Sequence, residues 1–145
     1  MIIIAHDIRS LHNVGSILRN AAAFGVEKVY LTGITGTPPR KEIAKVSLGA
    51  ENLVSWESGS IQHIIDQLKK DGYQIIALEN TDHAVDIDQF TCTNPIALIL
   101  GSEVEGIDPS ILAQTNQAII IPMAQKRSLN VSVASGIAMF ALRSK

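Results

Sequence analysis

The stretch Ile119-Ile120-Ile121-Pro122-Met123-Ala124-Gln125-Lys126-Arg127-Ser128-Leu129-Asn130-Val131-Ser132-Val133-Ala134-Ser135 joins three unlike segments without a spacer. It opens as a β-branched run, the composition of a buried strand. Pro122 ends that run, because proline has no N–H for the next ladder bond. A polar, basic loop follows, and Asn130 is suited to cap a helix that starts after it. That helix, expected from about Val131 to Arg143, mixes apolar residues (Val133, Ile137, Phe140, Ala141) with small ones (Ser132, Ala134, Ser135, Gly136, Ala138) on nearly every side. A helix with no clear polar face is buried all round, in a core or against another subunit. The loop is therefore held between a buried strand and a buried helix, and loops held that way tend to carry sites.

Working outward, strand-like and helix-like segments alternate along the chain, which points to an α/β fold built on an open parallel sheet. Strands are expected at Met1–Ala5, Glu27–Thr32, Leu53–Trp56, Tyr73–Leu78 and Pro95–Leu100. Helices are expected from about Val14 to Phe24, near Lys41–Ser47, and at Pro109–Gln114. The spacing of Ile61, Ile64, Ile65 and Leu68 marks a further amphipathic helix that Gly72 ends. In sheets of this kind ligands sit at the carboxyl ends of the strands.

With 145 residues the chain suffices for one domain with a real core. No apolar run approaches membrane-spanning length. Met1-Ile-Ile-Ile-Ala lacks the basic and apolar regions of a signal peptide and reads as a first strand, with no RNA-binding extension before it. The lone cysteine, Cys92, excludes an internal disulfide and leans toward a reducing compartment, hence a cytoplasmic location. A net charge of −2 announces no polyanion partner, so any nucleic-acid contact must use a local basic patch.

Several motif classes are absent. No Gly-x-x-x-x-Gly-Lys phosphate loop occurs, and Gly33 and Gly36 do not complete a dinucleotide fingerprint. His6, His12, His63 and His83 lack metal-ligand spacing, so no metal is expected. The cluster Asp82, His83, Asp86 and Asp88 lacks the calcium-loop pattern and reads as a solvated turn. Cys92 reads as a small packed side chain in preference to a nucleophile.

Two other stretches could carry chemistry. In Asn13-Val-Gly15-Ser-Ile-Leu-Arg19, the apolar stripe Val14, Ile17, Leu18 and Ala21 leaves Ser16 and Arg19 on the opposite side. Taken alone, this reads first as a capped helix with a solvated arginine, ahead of a site. In Leu98-Ile-Leu-Gly101-Ser-Glu103-Val-Glu-Gly106-Ile107, a glycine after a buried strand lets a ligand approach the backbone and sets Glu103 at the sheet edge. Taken alone, it is equally a strand-to-turn transition.

In combination the three stretches say more. Asn-x-Gly-x-x-x-Arg, then Gly-Ser-Glu-x-x-Gly, then Ile-Pro-Met followed by Ser-Leu-Asn-Val-Ser-Val-Ala resemble, in this order, the three signature motifs of the SpoU/TrmH-type RNA 2′-O-ribose methyltransferases of the SPOUT superfamily. The resemblance runs from about Ile8 to Arg143, with one departure: Val104 and Glu105 stand between the glutamate and Gly106 where many members have glycine at once. It implies a single SPOUT domain over residues 1–145, an open parallel sheet with helices on both faces and a C-terminal deep trefoil knot. It also implies transfer of a methyl group from S-adenosylmethionine to a ribose 2′-hydroxyl of RNA, and the expected lack of an RNA-binding extension before the first strand tilts the substrate toward tRNA, with rRNA close behind.

Carried over by position, the cofactor would meet Leu78, Glu79, Gly101, Ile121, Met123, Ser128 and Leu129. The catalytic group would be Arg19, Asn13, Glu103, Ser128 and Asn130, with Arg19 ranked first and Glu103 second. Free guanidinium groups stay protonated far above neutral pH. A role in holding phosphate and orienting the hydroxyl therefore stands beside the role of base. RNA would lie on Arg9, Arg19, Arg40, Lys41, Lys45, Lys126 and Arg127, and a homodimer would form through the C-terminal helix. A non-catalytic RNA-binding or assembly factor with the same fold, and a nucleotide-binding α/β domain, are the alternative readings.

Overall fold

The computed structural model of the protein describes residues 1–125 and 128–144. In chain order its elements are β1 (Ile2–His6), α1 (Leu11–Ala23), β2 (Lys28–Thr32), α2 (Lys41–Ser47), a 3₁₀ turn (Ala50–Asn52), β3 (Ser55–Gly59), α3 (Ile61–Lys70), β4 (Gln74–Leu78), β5 (Val85–Asp86), β6 (Ile96–Leu100), α4 (Pro109–Leu112), β7 (Gln117–Ile120) and α5 (Val131–Leu142). Among the described residues, seven strands form one sheet in the order β3-β2-β1-β6-β4-β7-β5, every pair parallel.

Alternation along each strand distributes side chains to two cores. On one face Ile3, Ala5, Leu98, Leu100 and Ile76 pack with Val14, Ile17, Leu18 and Ala21 of α1 and Ala138, Met139 and Leu142 of α5. On the other, Ile2, Ile4, Ala97, Ile99, Ile75 and Ala77 pack with Ile64, Ile65 and Leu68 of α3 and Ile111 of α4. All five residues of β1 and of β6 are buried, which is why these strands read as unbroken apolar runs. Burying each such aliphatic side chain contributes about 1.5–3 kcal/mol.

Three boundaries differ from the sequence expectation. Helix α1 starts about one turn earlier than expected, at Leu11, because Ser10 caps it: its Oγ accepts the Asn13 N–H at 3.3 Å. Asn13 therefore sits inside the first turn with its amide free to reach elsewhere. Strand β3 begins at Ser55, since the 3₁₀ turn precedes it and Leu53 points to solvent. The acidic turn around Asp82 and Asp88 contains a two-residue strand, Val85–Asp86, paired with β7.

Gly15 of the first motif has a packing reason. A Cβ there would lie 2.6 Å from the Ile43 carbonyl oxygen, so only glycine lets α2 cross α1 this closely. The loop after β1 is tied to the loop after β2 by buried Thr35. Its hydroxyl donates to the Ala5 carbonyl and accepts the Ile8 N–H, both at 3.0 Å. Asp7, at φ 54°, accepts the Ile34 N–H at 2.9 Å.

Helix α5 is buried on one side and bare on the other. Ser135, Ala138, Met139 and Leu142 face the core, whereas Val133, Ile137 and Phe140 stand 51%, 39% and 54% exposed. Of the two settings its sequence allowed, the core covers only half. Among the described residues, no helix is long and apolar enough to cross a membrane.

Candidate active site

The carboxyl ends of β4, β6 and β7 open into a cavity of about 530 Å³, within the range of small-ligand sites. Three chain segments form its wall: Leu78–Asn80 after β4, Leu100–Gly106 after β6, and the return from Ile119 through Met123 to Ser128–Ala134. All seven residues expected to meet a cofactor line it: Leu78, Glu79, Gly101, Ile121, Met123, Ser128 and Leu129. So do Glu103 and Asn130. Asn80, Ser102 and Val131 also line it and were not singled out, though each adjoins a residue that was; Ala134 lines it from one turn further along α5.

The segment after β6 folds into a tight hairpin. Ser102 and Gly106 exchange both backbone hydrogen bonds, at 3.1 and 3.0 Å, and Gly106 takes φ 71° to turn the chain. Val104 and Glu105 are thereby carried at the hairpin tip, so the departure from the family pattern is accommodated as two exposed loop residues. The hairpin lies back on its own root. A Cβ on Gly101 would sit 2.6 Å from the Gly106 carbonyl carbon and from Ile107 Cγ1. Gly101 is thus needed for backbone to approach backbone, where the sequence suggested backbone approaching ligand. Glu79 holds the far side of the turn, accepting the Ile107 N–H at 2.9 Å.

One hydrogen-bonded path joins the three motifs. Glu103 accepts the N–H of Arg9 at 3.0 Å, the N–H of Ser10 at 3.1 Å and the Asn13 side-chain amide at 2.8 Å. The Asn13 side-chain oxygen Oδ1 accepts from the Asn130 side-chain amide at 3.2 Å. Asn130 in turn caps α5, its oxygen accepting the Ser132 N–H at 2.8 Å and hydroxyl at 2.6 Å. A single path therefore sets the start of α1, the hairpin and the start of α5 relative to one another.

Burial pulls the Glu103 carboxyl pKa upward, but the hydrogen bonds from Arg9, Asn13 and Ser10 outweigh it and leave it below its ordinary value of 4.5. A carboxylate with a lowered folded-state pKa contributes stability that is complete above the unfolded value and lost as pH falls through the folded one. We therefore expect the melting temperature to drop on acidification below 4.5, and Glu103→Gln to weaken that dependence. An unchanged acid limb in thermal melts of the variant would contradict this placement.

The positively charged candidates separate into groups. Arg19 is exposed, off the wall of this cavity, and meets no ion-pair or hydrogen-bond partner among the described residues. It lies six residues after Asn13 on α1, about 9 Å along the helix axis. Arg9 is paired with Glu105 at 3.0 Å. Arg40, Lys41 and Lys45 are exposed together at α2. Lys126 and Arg127 lie outside the described residues.

The cavity suits an adenosyl group. Ile121, Met123 and Leu129 offer apolar surface to a flat, uncharged base, beside the main chain of Gly101–Ser102 and the hydroxyl of Ser128.

The family model for the SpoU rRNA Methylase family matches residues 1–140. A tRNA (guanosine(18)-2′-O)-methyltransferase of Escherichia coli K12 is 34% identical over 136 residues, covering 92% of this chain and 58% of that protein. Among solved structures, an AdoMet-bound rRNA methyltransferase from Sinorhizobium meliloti superposes with a TM-score of 0.92 at 25% identity, over 99% of this chain and 55% of that one. An A. aeolicus TrmH/SpoU tRNA modifying enzyme does so with a TM-score of 0.86 at 29% identity, over 99% of this chain and 73% of that one. The chain thus spans little more than half the length of the curated relative and of the first of these structures.

Proposed function

Because the chain belongs to the SpoU rRNA Methylase family, we propose that it is an S-adenosylmethionine-dependent methyltransferase acting on a ribose 2′-hydroxyl of RNA. The observation that carries this reading is the path Glu103–Asn13–Asn130, which ties all three motifs to one cavity of cofactor size. The relatives' names support RNA as the substrate, and we place tRNA ahead of rRNA. The lone thiol Cys92, free in the structure, accords with a cytoplasmic location. Comparing 2′-O-methylation across the RNA of cells with and without this protein tests the proposal. A nucleotide that loses its methyl group supports it and names the substrate; unchanged maps refute it.

S-adenosylmethionine, when bound, supplies an electrophilic methyl group on a positive sulfonium. The chain must then hold the ribose hydroxyl in line with that group, exclude water and leave the hydroxyl proton a path away. We assign the cofactor wall to Leu78, Glu79, Gly101, Ile121, Met123, Ser128 and Leu129. Asn13, Glu103 and Asn130 keep the loops in register, Ser128 contacts the cofactor, and Arg19 holds the RNA phosphate beside the reacting hydroxyl. Arg9, Arg40, Lys41, Lys45, Lys126 and Arg127 extend the RNA contact.

The return of the chain past β4 to a cavity shared with the β6 hairpin accords with a trefoil knot in this region, the arrangement the family resemblance implies. The bare stripe Val133, Ile137 and Phe140 supports a homodimer through α5, because a second copy would cover it. In that dimer Arg19 of one protomer would serve the cavity of its partner, consistent with its distance from its own. Light scattering should give twice the chain mass, and mixing Arg19→Ala with Asn130→Ala protein should restore part of the activity. A fully active monomer would refute both.

A further inference from the structure

Away from the cofactor cavity, a second hollow of about 470 Å³ lies between α2 and the edge strand β3. It too falls in the size range of small-ligand sites. Its chemistry differs from that of the first. Trp56, half-buried, provides an aromatic wall, flanked by Pro38, Pro39 and the aliphatic Ile43. Exposed Arg40 and Lys41 stand at its rim, with no ion-pair partner among the described residues. Lys45 is exposed one turn along the same helix. Glu51 also lines the hollow, but its carboxylate accepts the Ser47 hydroxyl and is engaged within the fold. Asn52 adds an exposed amide, able to donate and accept at a base edge.

An aromatic face beside unpaired cations and an amide is the set that takes an unstacked nucleobase and its phosphate. In a chain whose net charge is −2, such a local cluster is no consequence of overall composition. We propose that this hollow is a second RNA subsite, in which an unpaired base of the substrate stacks on Trp56 while Arg40 and Lys41 hold its phosphates. The proposal rests on the reading of the protein as an RNA methyltransferase and adds to it a base-holding position remote from the reaction. Strand β3 lies three strand spacings from β6, about 14 Å across the sheet, so the base held here is not the nucleotide being methylated. Helix α1, with Asn13 and Arg19, lies against α2, which makes the start of α1 and the α2 rim neighbouring stretches of one surface.

Trp56 is the sole tryptophan of the chain, so its emission reports on this hollow alone. An unmodified tRNA transcript is titrated into the full-length protein, following Trp56 fluorescence and, in parallel, the polarisation of an end-labelled sample. The expected result is saturable quenching that tracks the polarisation curve. Arg40→Ala combined with Lys41→Ala should weaken both signals, with a steeply salt-dependent loss of affinity. Trp56→Ala should weaken binding about fivefold or more, and Trp56→Phe, which keeps a ring and spares the core, should bind within about twofold of wild type. RNA binding with unchanged Trp56 emission, or undiminished affinity in the Arg40/Lys41 double variant, overturns the subsite and leaves the methyltransferase reading standing. Absence of binding by either signal overturns the subsite, and its absence with an rRNA transcript as well overturns both.

Discussion

Arg19→Ala protein is expected to bind S-adenosylmethionine with wild-type affinity and to lose about 10²–10³-fold in methyl transfer, the range attached to removal of one positioned charge-stabilising donor. The first half follows from geometry: Arg19 forms no part of the cavity wall and donates to nothing in the path that holds it. Its removal leaves the apolar stripe of α1 untouched, so the fold should melt as before. The second half follows from its assigned contact with RNA. A loss in kcat with unchanged cofactor affinity is the signature of an interaction made in the transition state. Calorimetry with S-adenosylmethionine and a single-turnover assay on the same preparation separate the two. Normal turnover would remove Arg19 from the reaction, whereas weakened cofactor binding would show that it belongs to the cavity wall after all.

Gly101→Val is expected to abolish cofactor binding by a route the sequence alone did not suggest. The added Cβ would meet Gly106 backbone and Ile107 at 2.6 Å, inside the distance at which one of them must move. Backbone cannot give way as the end of a long side chain can, so the hairpin must lift from its root. That moves Glu103 and Val104, which line the cavity, and strains the Glu79 bond to Ile107. Overpacking of this kind costs about 1–3 kcal/mol, which for a chain of this size lowers the melting temperature by roughly 2–12 °C. Loss of binding with an unchanged melting temperature would mean that the side chain fills ligand space instead of displacing the loop.

Much of the fold was legible because the strands carry their own signature. Runs such as Ile2-Ile3-Ile4 and Ile96-Ala97-Leu98-Ile99-Leu100 can be satisfied only by burial on both faces, and parallel pairing with helical crossovers provides that. What was misplaced depended on partners the local pattern does not display. Leu53 and Val54 looked like the start of β3, yet a 3₁₀ turn leaves Leu53 80% exposed and begins the strand at Ser55. Val85–Asp86 is a strand only because β7 passes beside it.

The site divides in the same way. Part of the cavity wall was readable because Leu78, Glu79, Gly101 and Ile121 sit at or next to strand ends, where chain order fixes position. The role of Gly101 was not, since its neighbour is the returning Gly106 and nothing in a strand-glycine pattern says that the loop folds back. Glu79 reaches across 28 positions to hold Ile107, a contact no spacing rule encodes. Nor could spacing tell that Arg9 would pair with Glu105 while Arg40 and Lys41, beside Trp56, meet no ion-pair partner among the described residues.

Alkali cleaves RNA through its free 2′-hydroxyls and spares a linkage whose hydroxyl is methylated, which gives the central claim a direct test. Purified protein is incubated with S-adenosylmethionine carrying a labelled methyl group and with unmodified tRNA and rRNA transcripts, and the products are hydrolysed to completion in base. The account predicts label in alkali-resistant dinucleotides from at least one transcript, abolished in the Arg19→Ala variant. Label recovered in mononucleotides would place the methyl group on a base, and no transfer to any RNA by protein that binds the cofactor would contradict the account outright.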